Sequence, residues 1–179
     1  MKSGPPQRTD KDMIPWRVPQ SGLTIVTGSK IYKSRQDRRA LFSGVVVGID
    51  IEDGDGVDMV WDMEKPMTDG REYVDHIDCV STLEHVRRPW LAATNLQTIL
   101  RPGGTLFVAV PFVWRRHGYP SDYWRMTPDA LPILFDQIEW TDLLYFSQRD
   151  GLTSEYPKPT KEHPFHVPRC ETYGWGVKR

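Results

Sequence analysis

The chain has 179 residues and a formal net charge of −1, with 39% apolar and 26% charged residues. This length allows one domain with a substantial core, and the charge lacks the positive excess with which nucleic-acid-binding domains attract phosphates. The longest apolar stretch, Leu106–Trp114, is too short to span a bilayer, and residues 1–20 are polar and proline-rich, unlike a signal peptide. We therefore expect no membrane association, no clear nucleic-acid signal and a cytoplasmic protein in which Cys79 and Cys170 are reduced.

The residue pattern predicts a proline-rich N-terminal arm, residues 1–22, followed by one domain, residues 23–179. The four prolines of the arm each fix φ and remove a backbone donor, which favours irregular structure. From residue 23 onward, short β-branched runs alternate with helical segments, as in a parallel α/β domain. The seven predicted strands are Leu23–Val26, Val45–Asp50, Val57–Val60, Ile77–Val80, Gly104–Pro111, Ile138–Phe146 and Glu171–Lys178.

Three helices are predicted between these strands. Residues 34–42 begin with Ser34 and Asp37, which have the spacing of a capping box. Residues 89–100 carry a proline in their first turn and end at the Arg-Pro-Gly-Gly turn that follows. The third helix opens at Thr127, its predicted cap, and Pro132 limits its length. Residues 148–169, rich in proline, are predicted to be an exposed loop.

Four segments carry a resemblance to a known family. The first segment joins Gly48–Ile51 and Val57–Met63, which read as two strands that end in acids. The second, Ser81–Val86, contains Leu-Glu-His-Val, and the third, Leu100–Leu106, reads Leu-Arg-Pro-Gly-Gly-Thr-Leu. The fourth segment, residues 111–127, contains Pro-Phe, then a histidine, then Asp-Tyr-Trp-Arg-x-Thr. In this order and spacing they resemble the class I S-adenosylmethionine-dependent methyltransferases. The resemblance implies a doubly wound, Rossmann-like α/β sheet, mostly parallel with an antiparallel last strand.

The resemblance also implies a site for S-adenosylmethionine at the carboxyl ends of the strands. Asp50 would accept hydrogen bonds from the ribose hydroxyls, and Asp62 would accept one from the adenine amino group. The alternatives are a solvated turn acid for Asp50 and a helix cap for Asp62. The first loop departs from the family pattern, because Gly28 is the one glycine it keeps. The predicted cofactor-binding residues are Thr27, Gly28, Ser29, Asp50, Ile51, Asp62, Met63, Ser81 and Thr82.

An acceptor site is predicted on the loop after the fifth strand. A hydroxyl acceptor benefits from a base whose pKa is near neutral, and histidine is suited to that role. His117 is the predicted base, Asp122 would orient it, and His85 is the alternative base. Aromatic and arginine side chains nearby are predicted to contact the substrate, the alternative being core aromatic residues and solvated arginines. These residues are Arg115, Tyr119, Tyr123, Trp124 and Arg125.

No metal site is predicted. The acids around Asp53 lack the glycine of a calcium loop, and His163, His166 and Cys170 fit no common zinc framework. The leading hypothesis is therefore methyl transfer to an oxygen or nitrogen of a small polar acceptor, such as a sugar or another metabolite. The alternative is a non-catalytic, degenerate methyltransferase fold that binds cofactor or a protein. A homo-oligomer is possible on this sequence. A lid over the site could be formed by the N-terminal arm, by the 148–169 loop or by a second subunit.

Overall fold

The described strands form one mixed sheet of eight strands. The structure is a computed structural model that describes residues 21–32, 36–67, 72–118, 121–147, 149, 151–156, 158–159, 161 and 169–179. The predicted N-terminal arm therefore lies almost entirely outside the described residues. The strands are β1 (Leu23–Thr27), β2 (Val45–Asp50), β3 (Met59–Val60), β4 (Val74–Val80), β5 (Leu100–Val113), β6 (Ile138–Ser147), β7 (Gly151–Thr153) and β8 (Cys170–Lys178).

The strand order is β3-β2-β1-β4-β5-β8-β6-β7. Neighbours from β3 to β5 pair in parallel, whereas β8 runs antiparallel to both β5 and β6, and β7 antiparallel to β6. This arrangement confirms the predicted fold class. The chain runs outward from β1 to β3 and then returns to β4 on the other side of β1. Open α/β sheets bind ligands beside the carboxyl ends of the strands at such a reversal.

Two helices follow the strands on one face of the sheet. Helix α1 (Pro89–Ile99) confirms the second predicted helix, and α2 (Ala130–Leu134) is the third. Both contribute apolar side chains to the larger core cluster, in which Leu106 and Val108 of β5 also lie. The alternating residues Phe107 and Ala109 lie on the opposite face, in a smaller cluster. Of the helices in the described residues, neither is long and apolar enough to cross a membrane.

Three local predictions require correction. The described part of the predicted helix 34–42 is only a 3₁₀ turn, Arg38–Leu41, whose cap Asp37 accepts from the Arg39 N–H; Ser34 is outside the described residues. The two arginines of this turn reach acids in different directions, Arg38 to Asp78 and Arg39 to Asp58, and a single tight turn allows both contacts.

The third helix begins at Ala130, three residues after the predicted cap, and Asp129 precedes it without a side-chain capping bond. Pro132 lies in the middle of its five residues, so it coincides with the short length that was predicted. Strand β7 lies within the predicted 148–169 loop, where only its pairing with β6 defines it. Both cysteines are buried, and they are not joined in a disulfide.

Candidate functional site

A cavity of about 510 Å³ lies at the carboxyl ends of the parallel strands, on both sides of the reversal between β1 and β4. Its size is within the ~300–1,000 Å³ range typical of small-molecule sites. Of the predicted site residues, ten line it: Gly28, Asp50, Ile51, Asp62, Met63, Ser81, Thr82, His85, His117 and Tyr123. The topology therefore brings together residues that are up to 95 positions apart in the sequence.

Asp50 is the last residue of β2 and lines the cavity. One of its carboxylate oxygens accepts from the Lys30 N–H at 3.1 Å, and the other from the Glu52 N–H at 3.2 Å. These two bonds hold the carboxylate in place at the strand end. Because an ionised carboxylate has about four acceptor positions, it retains capacity for a ligand's hydroxyl groups.

Asp62 and Met63 follow β3 on the adjoining part of the cavity wall. Asp62 accepts from the Glu64 N–H at 3.0 Å, and its second carboxylate oxygen lies 3.4 Å from the ammonium of Lys65. The carbonyl of Met63 accepts from Asn95 in α1 at 2.8 Å. This loop is therefore fixed both by its own turn and by the helix beneath it.

Two backbone turns at the reversal have positive φ. Gly28 follows β1 with φ +59°, and Ser81 follows β4 with φ +49°. A Cβ atom on Gly28 would lie 2.6 Å from the hydroxyl oxygen of Thr82, so this position requires glycine. Ser81 is the one non-glycine residue with positive φ among the described residues, and such strain is concentrated at functional sites.

The hydroxyls predicted from the first loop are directed elsewhere. Thr27 Oγ1 donates to Thr82 Oγ1 at 3.0 Å and is buried, and Ser29 is also buried. Neither residue is among those that line the cavity in the described part of the chain. The Ser29 backbone N–H instead donates to the Ile49 carbonyl at 3.1 Å, which ties the loop to β2.

Beyond β5, a buried carboxylate fixes the predicted base. The Asp122 side chain is fully buried and forms a two-pronged ion pair with Arg125, with N–O distances of 2.5 and 2.7 Å. It also accepts from the His117 backbone N–H at 2.7 Å and lies 3.1 Å from His117 Nδ1. The Arg125 guanidinium is the main reason that the pKa of Asp122 is well below its usual range. The structure therefore brings Asp122 and His117 into contact, and the role of Asp122 in orienting a catalytic base stays a prediction.

Three side chains converge where the cavity meets this loop. Glu84 Oε1 lies 3.6 Å from His85 Nε2 and 3.9 Å from His117 Nε2, and the two imidazole rings meet edge to face. The Glu84 side chain is 1% exposed, and neither of its oxygens has a hydrogen-bond partner within the described residues. Burial raises the pKa of Glu84 to about 8, and the negative charges of Glu171 and Asp122 act in the same direction.

The predicted substrate residues divide into two groups. Tyr123 lines the cavity with its ring half exposed. Trp124 instead packs edge to face on Trp90 and donates to the Val86 carbonyl, outside the cavity. Arg125 is paired with Asp122. Arg115 is exposed and is not among the described residues that line the cavity, and Tyr119 lies outside the described residues.

Sequence reasoning did not assign a site role to several cavity residues: Tyr32, Trp61, Glu64, Glu84, Arg87, Trp114 and Glu171. A signal existed for Glu84, because it adjoins a candidate histidine at the end of a strand. Six acids and one arginine are among the described residues that line the cavity: Asp50, Glu52, Asp62, Glu64, Glu84, Glu171 and Arg87. Three of these acids are paired with cations just outside the lining, Glu52 with Lys30, Asp62 with Lys65 and Glu64 with Arg88, so the cavity is less negative than its lining alone indicates.

The structure is similar to solved S-adenosylmethionine-dependent methyltransferases. A Methanosarcina mazei SAM-dependent methyltransferase matches with a TM-score of 0.59 and 10% identity, over 90% of this chain and 94% of that chain. The Haloferax volcanii chain solved in complex with the Trm112 methyltransferase activator matches with a TM-score of 0.61 and 18% identity, over 90% and 84%. Haemonchus contortus phosphoethanolamine N-methyltransferase 2 was solved with phosphomonomethylethanolamine and S-adenosylhomocysteine. It matches with a TM-score of 0.57 and 11% identity, over 89% of this chain and 49% of that chain.

No protein-family model and no curated protein matches the sequence. At these identities the structural similarity establishes the fold, which is that of the S-adenosylmethionine-dependent methyltransferases.

Proposed function

We propose that this protein transfers a methyl group from S-adenosylmethionine to an oxygen or nitrogen of a small polar acceptor. The observation that carries the proposal is the cavity at the reversal of the sheet, lined by Asp50 after β2 and by Asp62 after β3. In open α/β sheets this is where nucleotide-like ligands bind. The acceptor that we propose is a sugar or another small metabolite.

The residues present fit the proposed cofactor. S-adenosylmethionine carries ribose hydroxyls, an amino group on its adenine, and a positively charged sulfur. Asp50 offers carboxylate acceptors to the ribose, and Asp62 offers one to the adenine. The positive φ of Gly28 leaves the backbone at the end of β1 open to close approach. When bound, S-adenosylmethionine supplies the methyl group, and its transfer leaves S-adenosylhomocysteine.

The acceptor end of the cavity is formed by Glu84, His85 and His117. Methyl transfer to a hydroxyl requires that the hydroxyl loses its proton, so groups that hold or displace a proton belong beside the acceptor. His117 is held by Asp122 on one side and faces Glu84 with Nε2 on the other. We assign activation of the acceptor to this cluster, with Tyr123 on the adjacent wall.

Calorimetric titration with S-adenosylmethionine and S-adenosylhomocysteine tests the cofactor site. We expect micromolar binding by the wild type, and a loss of about 10- to 100-fold in affinity for Asp50→Ala, because it removes charge-assisted hydrogen bonds. Asp53→Ala is the matched control: its carboxylate lies three residues away, bonds the Gly54 N–H, and is not part of the cavity lining.

Two results would argue against this function. If Asp50→Ala and Asp53→Ala bind S-adenosylhomocysteine equally well, Asp50 does not hold the ribose. If the wild type shows no binding at millimolar ligand, the fold serves a different purpose, and the non-catalytic binding module becomes the better hypothesis.

A further inference from the structure

We propose that Glu84, His85 and His117 form a binding site for a divalent first-row transition metal ion at the acceptor end of the cavity. The role of the ion in acceptor activation rests on the proposed function, whereas the set of ligands is defined by geometry alone. Among the described residues, these three are a group whose ligand atoms all lie within 4.8 Å of one another.

The separations are close to those that a metal ion imposes. Zinc binds nitrogen and oxygen ligands at about 2.0–2.1 Å, so two ligand atoms in a tetrahedral site are about 3.4 Å apart. Glu84 Oε1 is 3.6 Å from His85 Nε2 and 3.9 Å from His117 Nε2. All three ligand atoms lie within 4.8 Å of one another, so the side chains must move closer together to coordinate one ion at these distances.

Both imidazoles are anchored in the way that metal-binding histidines are anchored. His85 Nδ1 lies 2.5 Å from the Ser121 carbonyl oxygen, which can only accept, so this nitrogen carries the proton. His117 Nδ1 lies 3.1 Å from the ionised carboxylate of Asp122, and the same argument applies. In each neutral ring the lone pair is then on Nε2, the atom directed at Glu84. A carboxylate or carbonyl behind a ligating histidine fixes its tautomer and orientation in this manner.

The environment of Glu84 also indicates a bound cation. Its side chain is almost fully buried, lines the cavity, and has no hydrogen-bond partner for either oxygen within the described residues. The ionised form of a buried carboxyl group without partners is costly, because nothing replaces the water it has lost, and the neutral acid is favoured instead. A divalent cation between Glu84 and the two imidazoles would remove that cost. One carboxylate with two imidazoles is a donor set suited to Mn²⁺, Fe²⁺, Co²⁺ and Zn²⁺.

The ion would replace the free base that the sequence suggested for His117. The Nε2 lone pair of His117 serves either as a base or as a ligand, and its convergence with Glu84 and His85 favours the ligand role. Three protein ligands leave coordination positions open toward the cavity, where an acceptor oxygen can bind. A hydroxyl bound to such an ion is more acidic, so its proton can pass to solvent near neutral pH.

The site can be tested by titrating untagged, metal-free protein with Co²⁺. Binding is monitored by visible absorption, and the bound metal is measured by elemental analysis after dialysis. We expect one equivalent to bind and to produce a d–d absorption band. Glu84→Gln, which keeps the side-chain shape, and His117→Ala should each weaken binding by at least 10-fold. The double variant His163→Ala/His166→Ala is the control for the other histidines and should bind as the wild type does. Circular dichroism melts confirm that each variant is folded.

The outcomes separate this proposal from the proposed function. Absence of a Co²⁺ band in the wild type, or equal binding by Glu84→Gln, overturns the metal site. If S-adenosylhomocysteine still binds in the presence of EDTA in that case, the methyltransferase proposal stands without a metal. If Co²⁺ binds with the expected variant profile but no S-adenosylhomocysteine binds, the metal site stands and the methyltransferase proposal fails.

Discussion

Protonation of His76 should destabilise the fold in mild acid, although this residue is not part of the site. His76 lies on β4, is 0% exposed, and has its ring between Phe42 and Trp175, each with a centroid distance of 5.4 Å. Its Nδ1 is 2.8 Å from Thr105 Oγ1, and its Nε2 has no partner among the described residues. Burial is the main cause that lowers the pKa of His76 to about 4. The negative charge of Asp78 acts against this decrease and offsets part of it, whereas the positive charge of Arg38 adds to it.

The magnitude follows from the difference between the folded and unfolded pKa. The unfolded value is about 6.5, and each unit corresponds to about 1.4 kcal/mol. The folded protein binds the proton more weakly, so this group does not affect stability above about pH 7 and lowers the free energy of unfolding as the pH falls from 6.5 toward 4. At pH 5 the loss is about 2 kcal/mol, and below pH 4 it approaches about 3.4 kcal/mol.

Urea unfolding of the wild type and of His76→Phe, at pH 7.5 and at pH 5, measures this effect. Phenylalanine keeps an aromatic ring between Phe42 and Trp175 but cannot be protonated, and the lost contact to Thr105 is a constant offset. The carboxylates titrate in both proteins, so their effects cancel in the comparison. We expect the wild type to lose about 2 kcal/mol more than the variant between the two pH values. Unfolding free energies that fall in parallel would refute the reasoning.

Three further predictions concern the site and its support. Gly28→Ala should weaken S-adenosylhomocysteine binding. Gly103 has a similar positive φ, but a Cβ atom there would meet only the Arg101 guanidinium at an ordinary 3.5 Å, so Gly103→Ala should lose only about 1–2 kcal/mol of stability and no affinity. Equal binding by both variants would contradict the role of the first turn. Lys178→Met removes the buried ammonium that donates to two carbonyls at the end of α1. Urea unfolding should therefore show a decrease of about 2–4 kcal/mol in the free energy of unfolding. A decrease below about 0.5 kcal/mol would contradict this role. Asp122→Asn should weaken Co²⁺ binding by about 10- to 100-fold because it no longer fixes the His117 ring, and unchanged affinity would mean that the ring needs no such anchor.

Most of the sheet could be predicted because each strand is a local pattern. The apolar runs of β1, β2, β5, β6 and β8 are bounded by turn residues, and the predicted limits differ from the observed ones by a few residues. β7 could not be predicted, since its three residues are defined by their pairing with β6. The ends of β2 and β3 were also predictable, because an acid directly after an apolar run marks a strand end.

The contacts of the cluster Glu84, His85 and His117 could be predicted from the sequence only in part. The link between His117 and Asp122 could be inferred from their spacing of five residues, and the structure places them 3.1 Å apart. The contact of His117 with Glu84 could not be inferred, because it depends on the pairing of β4 with β5, which brings together loops about 30 residues apart. For the same reason the sequence offered His163, His166 and Cys170 as groups with metal-ligand chemistry and gave no indication of this cluster.

The single glycine of the first loop and the short turn after it have one structural cause. In the usual arrangement a glycine-rich loop enters a helix, and its glycines permit the tight turn, the close approach of the ligand and the packing of that helix. Here the chain turns back at Gly28, and the N–H groups of Ser29 and Lys30 bond to Ile49 and Asp50 at the end of β2. Among the residues described between β1 and β2, the one helical element is a 3₁₀ turn, so none of these residues forms a longer helix that requires glycines for its packing. A cofactor bound here would therefore depend less on backbone N–H groups of a helix start and more on the carboxylate of Asp50.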